Sequence, residues 1–151
     1  MRIGEICTRT VVTCAREASA LDVARLMREH HVGCVVVVEP QCGRIVPVGV
    51  VTDRDLVVEV LACAVDPELV RAGDLVVGEL ETATEGELVF DAVWHLRHKG
   101  IRRLPVVNQQ GELTGILSAD DVSRFLAEQL GGMAALASGQ ARQEQARRVA
   151  S

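Results

Sequence analysis

Two stretches of the sequence put a hydroxyl and a carboxylate three residues apart where a helix would begin: Thr52 with Asp55, and Ser118 with Asp121. Such a pair supports two readings that do not compete. The two side chains can cap the helix start reciprocally. A carboxylate held there can also accept two hydrogen bonds from a ribose 2′,3′-diol, while the hydroxyl and nearby helix N–H groups face phosphate oxygens. The neighbouring guanidinium groups of Arg102 and Arg103 could neutralise a phosphate. The blander account makes them an exposed pair that discourages aggregation at a strand edge.

No other constellation promises chemistry. Asp53, Asp55, Asp120 and Asp121 could hold Mg²⁺, but no more than two lie in either stretch, a weak basis for hydrolysis. The chain contains no GxxxxGK[ST] phosphate loop and no GxSxG elbow. His95-x-x-His98 would share a helix face, yet two ligands make an incomplete metal site. Cys7, Cys14, Cys34, Cys42 and Cys63 are odd in number and lack CxxC spacing, which suits reduced thiols in a cytoplasmic protein. Cys7, if it lay beside arginines, would be more acidic than an ordinary thiol.

Composition narrows the partners. Sixteen basic against twenty-one acidic residues give a net charge of −5, an unfavourable background for binding phosphate backbones. One Trp, two Phe and no Tyr leave few stacking platforms for bases, so no nucleic-acid partner is expected. No apolar run approaches the roughly 20 residues of a membrane span, and Met1-Arg2-Ile3-Gly4-Glu5 shows no signal-peptide core. The expectation is therefore a cytoplasmic protein with no membrane partner.

The elements that would position these residues emerge from an internal repeat. A shift of 69 superimposes Gly4 on Gly73, Asp22 on Asp91, Val32 on Ile101 and Val37-Val38 on Val106-Val107. Past a three-residue insertion in the Glu39–Pro47 connection the shift becomes 66, placing Gly49-Val50-Val51-Thr52 on Gly115-Ile116-Leu117-Ser118 and Asp55 on Asp121. Each copy reads as strand, helix, strand, strand, helix. The first copy has strands at Val11–Cys14, Val35–Val38 and Val48–Val51. Its first helix, opened by Ser19, buries Leu21, Ala24 and Met27; its second runs from Thr52 to about Leu61. The second copy has strands near Leu80–Ala83, Leu104–Val107 and Leu113–Leu117, with helices near Leu88–Lys99 and Ala119–Leu130. The fold class is α/β (α+β): two βαββα units, too small to stand alone, paired with pseudo-two-fold symmetry. The expected division is residues 1–63 and 73–130, joined by a linker at 64–72. A tail at 131–151 is expected as a frayed helix or disordered.

Gly49-Val50-Val51-Thr52-Asp53-Arg54-Asp55 and Gly115-Ile116-Leu117-Ser118-Ala119-Asp120-Asp121 resemble the signature of the cystathionine-β-synthase (CBS) domain, and Gly100–Val107 resembles its second-strand motif. The likeness spans about residues 2–130 and is closest to stand-alone tandem pairs of bacterial type, or Bateman modules. It implies a non-enzymatic regulatory module that holds adenine nucleotides between its repeats. Carried over by position, pocket A would use Cys7, Val12, Val32 and Gly33 around the base, Ile116, Ser118 and Asp121 at the ribose, and Arg102 with Arg103 near phosphate. A weaker pocket B would pair Val76, Ile101 and Arg102 with Val50, Thr52 and Asp55, and the charge of Glu81 there would disfavour an anion. No cofactor is required. The implied ligand is an adenosine phosphate, AMP in preference, accompanied by Mg²⁺ if it is ATP. The implied partners are a second copy in a homodimer and an unknown effector protein. The alternative is a ligand-free dimerisation scaffold.

Overall fold

The computed structural model describes residues 1–149, with side chains described through residue 136. In chain order the elements are α1 (Ile3–Ile6), β1 (Thr13–Ala15), α2 (Ala20–His30), β2 (Cys34–Gln41), β3 (Arg44–Thr52) and α3 (Asp53–Asp55). A π-helical segment, Leu56–Leu61, continues α3; then come α4 (Ala72–Leu75), β4 (Ala83–Thr84), α5 (Val89–Lys99), β5 (Arg103–Val107), β6 (Leu113–Ser118) and α6 (Ala119–Val149). The strands form two three-stranded sheets, β1-β2-β3 and β4-β5-β6. In each, the first pair is parallel and the second is an antiparallel hairpin. Both hairpins shift register at matching places, Val37/Val38 and Val106/Val107, so the repeat extends to a shared β-bulge.

Several sequence expectations shift for physical reasons. The first hairpin is longer than expected, because Pro47 sits opposite Val38 at the bulge on an edge strand, where its missing N–H costs little. The chain reverses at Cys42-Gly43, both in positive φ (50° and 77°), as a two-residue hairpin turn requires. The first strand of each repeat starts later than its β-branched run suggests, since only Thr13–Ala15 and Ala83–Thr84 reach the neighbouring strand. Ser19 caps α2 as expected by accepting from Asp22 N–H, but the buried face is Ala20, Val23 and Met27. Leu21 and Ala24 instead line a surface groove. Residues 131–149 continue α6 as helix.

The two units exchange their leading segments. Ile3, fully buried, packs with Ala92, Leu96, Leu104 and Leu117 of the second unit, whereas Ala72 and Leu75 pack with Val23, Val35 and Val51 of the first. Residue 72, expected in the linker, thus belongs to a core. Matching backbone bonds fix the exchange: Ile3 N–H to Glu87 C=O at 2.9 Å corresponds to Ala72 N–H to Ala18 C=O at 2.8 Å. Burying a side chain such as Ile3 contributes ~1.5–3 kcal/mol. Each unit therefore depends on the other for part of its core.

Candidate functional site

The closing helix of each unit begins beside the strand entry of the same unit. Asp53 N–H donates to Gly33 C=O at 3.1 Å, and Ala119 N–H donates to Arg102 C=O at 2.9 Å. These bonds set the two hydroxyl–carboxylate pairs against the seam between the repeats. Thr52 N–H and Oγ1–H both donate to Asp55 Oδ2 at 2.7 Å. Ser118 N–H and Oγ–H donate to Asp121 Oδ2 at 2.9 and 2.6 Å. The return bonds from Asp55 N–H and Asp121 N–H to the hydroxyls complete both capping boxes.

The caps leave chemistry to spare. Each carboxylate spends Oδ2 on its cap, and Asp121 Oδ1 has Arg124 at 3.7 Å. The outer oxygen remains able to accept from a ligand hydroxyl. The hydroxyl protons of Thr52 and Ser118 are committed to the carboxylates. A phosphate would thus meet guanidinium groups before it met these hydroxyls.

Cavity A, about 250 Å³, is walled by Val12, Val32 and Gly33 of the first repeat and by Ile116, Ser118 and Asp121 of the second, with Arg103 reaching in. Thr8, Thr10, His31, Cys34 and Asp120 complete its lining together with Val11 and Val36. Two expected members fall elsewhere. Cys7 turns under Gly115, where its Sγ would meet an added Cβ at 2.8 Å. Burial pushes its thiol up, outweighing the lowering by Arg9, so the expected acidic thiol is corrected. Arg102 is also missing from this wall. Consecutive residues entering a strand point to opposite sides, and its side chain stands 80% exposed, 3.9 Å from Asp120.

The pocket B residues are split between two adjoining cavities. Val50, Val76, Glu81 and Ile101 line one of about 160 Å³. Val50, Thr52, Ile101 and Arg102 line another of about 430 Å³, together with Arg54, Asp53 and Arg103. Asp55 lies behind Thr52 and lines neither of these cavities. Glu81 is not a bare charge: it is paired with Lys99 and sits 2.9 Å from His95 Nε2. Those partners, Lys99 first, hold its carboxyl below the usual glutamate range. Sequence reasoning missed Arg54, although its offset from Asp120 was visible in the repeat, and it assigned to Arg102 the bridging place that Arg103 occupies.

Cavity A combines the strand entry of the first repeat with the capping carboxylate of the second, whereas on the other side Thr52, without Asp55, meets the strand entry of the second repeat. The model of the CBS domain fits this chain twice, over residues 3–62 and 72–128. The chain belongs to the CBS-domain family. Its CBS pair is 32% identical over 119 residues to Hypoxic response protein 1 of Mycobacterium tuberculosis, covering 78% of this chain and 80% of that protein. It is 38% identical over 120 residues to an uncharacterised protein of Methanopyrus kandleri; the match takes in 80% of this chain but only 60% of that relative's length. Among solved structures, a CBS domain protein from Pyrobaculum aerophilum complexed with AMP superimposes with a TM-score of 0.72 at 29% identity, over 80% of this chain and 89% of that one.

Among the described residues, no group of three His, Cys, Asp or Glu side chains could hold a metal ion. His98 Nδ1 contacts Trp94 C=O at 2.9 Å, so the His95/His98 pair is engaged otherwise. No described helix is long and apolar enough to cross a membrane.

Proposed function

We propose that this CBS pair binds an adenine nucleotide in the cleft between its repeats and reports occupancy to a partner protein, without catalysing a reaction. The observation that carries the reading is the composite wall of cavity A: apolar Val12 and Val32 of the first repeat meet Ile116 and the capped carboxylate of Asp121 from the second. An adenine ring suits the apolar side, a ribose diol suits Asp121 Oδ1, which the cap does not use and which among the described residues has only the 3.7 Å contact with Arg124, and Arg103 suits a phosphate. The AMP complex of the Pyrobaculum relative supports the same ligand class. Because both repeats contribute to one wall, occupancy would bias their relative placement, and that is the signal a partner can read.

We further propose that the module works as a homodimer. Leu56, Val57, Val60 and Leu61 leave an apolar groove against Leu21 and Ala24, and Leu126 and Leu130 stay exposed on α6, more apolar surface than a solitary chain usually shows. Light scattering at tens of micromolar should give a dimer mass. The same groove is what a ligand-free scaffold would use.

Thermal shift and calorimetry over AMP, ADP, ATP with Mg²⁺, adenosine and S-adenosylmethionine decide between the readings. A binder at a hundred times its Kd should stabilise the protein by about 2.7 kcal/mol, and Asp121→Ala should abolish binding in cavity A. Absence of any shift across the panel would leave only the scaffold.

A further inference from the structure

The two units present opposite relief at equivalent places. On the first unit, Leu21 and Ala24 of α2 together with Leu56, Val57, Val60 and Pro67 wall an apolar groove of about 260 Å³. The repeat offset of 69 lays Phe90 on Leu21, Val93 on Ala24 and Trp94 on Arg25, so larger apolar side chains stand in the second unit where the first is hollow. Phe90 and Trp94 are 68% and 60% exposed. Two of the chain's three Phe and Trp side chains therefore face solvent, and aromatic anchors are what fill pockets at the centre of an interface. Their spacing on α5 puts both on one face with Arg97 and His98. The Trp94 ring is stacked on His98 with centroids 3.9 Å apart.

Charge follows the relief. Between Leu56 and Val70 the chain carries Glu59, Asp66 and Glu68 and no basic residue. All three are exposed, and among the described residues none joins an ion pair. On the α2 side of the groove Asp22 and Arg25 pair with each other at 3.3 Å. The last turn of α5 is basic, with Arg97, His98 and Lys99, and its one carboxylate, Asp91, lies in the first turn. Lys99 is taken by Glu81, whereas Arg97 has no ion-pair partner among the described residues. First unit on first unit would lay hollow on hollow and bring three carboxylates toward their own images, which costs both packing and charge repulsion. First unit on second fits a ridge into a groove and sets the acidic rim near Arg97.

We propose that the groove of the first unit receives the Phe90/Trp94 ridge of a second copy, so that two chains pair head to tail. The existence of a dimer rests on the function proposed above; the choice of faces rests on relief and charge. A two-fold axis makes the contact twice and closes the assembly. Phe and Trp bury roughly 150–250 Å² each when covered. Four such side chains, already partly covered, and the groove beneath them bring the contact to on the order of 1,000 Å², where specific interfaces begin.

The test uses the full chain and two variants. Wild type at tens of micromolar should scatter as a dimer, and its tryptophan emission should move to the blue relative to dilute protein as Trp94 leaves water. Ala24→Glu sets a charge in the groove, and Trp94→Ser removes the centre of the ridge. Each spoils both copies of a head-to-tail contact and should weaken dimerisation by about tenfold or more. Mixed one to one, the variants should pair again, because the ridge of the first meets the intact groove of the second. Trp94→Ser contains no tryptophan, so a blue shift in the mixture reports that contact alone. Circular dichroism confirms folding, and Leu61→Glu, at an exposed groove position, replaces Ala24→Glu should that chain not fold. Single variants that keep dimerising, with no gain on mixing, would show like faces pairing and overturn the head-to-tail assignment while keeping the dimer. Monomeric variants that stay apart on mixing overturn it as well, as does a wild-type dimer whose tryptophan stays in water or a mass that grows past two copies. A monomeric wild type overturns both the pairing and the dimer, leaving groove and ridge to an unrelated partner.

Discussion

Val76 fills the space that Gly49 leaves by having no side chain: a Cβ on Gly49 would lie 2.2 Å from Val76 Cγ2. Gly115 and Cys7 repeat the arrangement in the other unit, at 2.8 Å. The signature glycine of each copy is therefore where the exchanged segment crosses the hairpin. It is a packing requirement, since neither glycine has a positive φ.

Gly49→Ala should accordingly destabilise the fold by about 1–3 kcal/mol, the usual cost of forcing an extra carbon into a filled space. Val76→Ala in the same chain should recover much of the loss, because the two substitutions share one contact. Denaturant titration of the four-member cycle checks this. An unchanged midpoint for Gly49→Ala would mean the crossing is slack.

A second expectation concerns acid. Lys99 and, after it, His95 hold Glu81 below its usual range in the folded state, while the unfolded chain keeps an ordinary glutamate. The unfolded state then binds more protons as pH falls, so the contribution of Glu81 is complete above its unfolded value and disappears as pH drops through the folded one. The melting temperature should fall below about pH 5, and less steeply in Lys99→Met. Glu85, paired with Arg9, has a shift of the same sign, but it is common to both proteins and cancels in the comparison. Parallel curves would show that the Glu81 cluster carries no linkage.

Thiol accessibility gives a third check. Cys42 and Cys63 are exposed and Cys7 is half-buried, whereas Cys14 and Cys34 are buried. Burial pushes the Cys14 thiol up to about 11 and raises Cys34 as well. A maleimide or aromatic disulfide reagent at neutral pH should label Cys42 and Cys63 fast, Cys7 slowly, and the remaining two only on unfolding. Fast labelling of Cys7 would restore the acidic thiol expected from its sequence and contradict the effect of burial.

The repeat offsets disclosed a good part of this architecture, because strand runs such as Val35–Val38 and capping pairs such as Ser118/Asp121 are local and periodic. What they hid is long-range or directional. The four-residue α1 has no period to betray that Ile3 belongs under Leu104, and the same holds for Ala72 beside Val23. Which of two neighbouring arginines turns into the seam depends on strand phase, and the strand begins at Arg103. The reach of α2 toward Leu21 and Ala24 was misjudged because a helix with a second apolar stripe looks wholly core-facing until its partner surface is missing. In cavity A the places of Val12, Val32, Ile116 and Asp121 were legible, whereas those of Cys7, Asp55 and the arginines were not.

The exchange of leading segments also constrains how the protein is made. On a ribosome, Ile3 is synthesised long before Leu117 and Val122, yet its resting place lies among them. The first unit can begin to assemble once Leu75 has emerged, but α1 must wait as a loose end until almost the whole second unit exists. The α1 segment leaves the exit tunnel well before the unit that houses it, so a nascent chain stalled after the first unit would carry an unpaired apolar segment in search of a host.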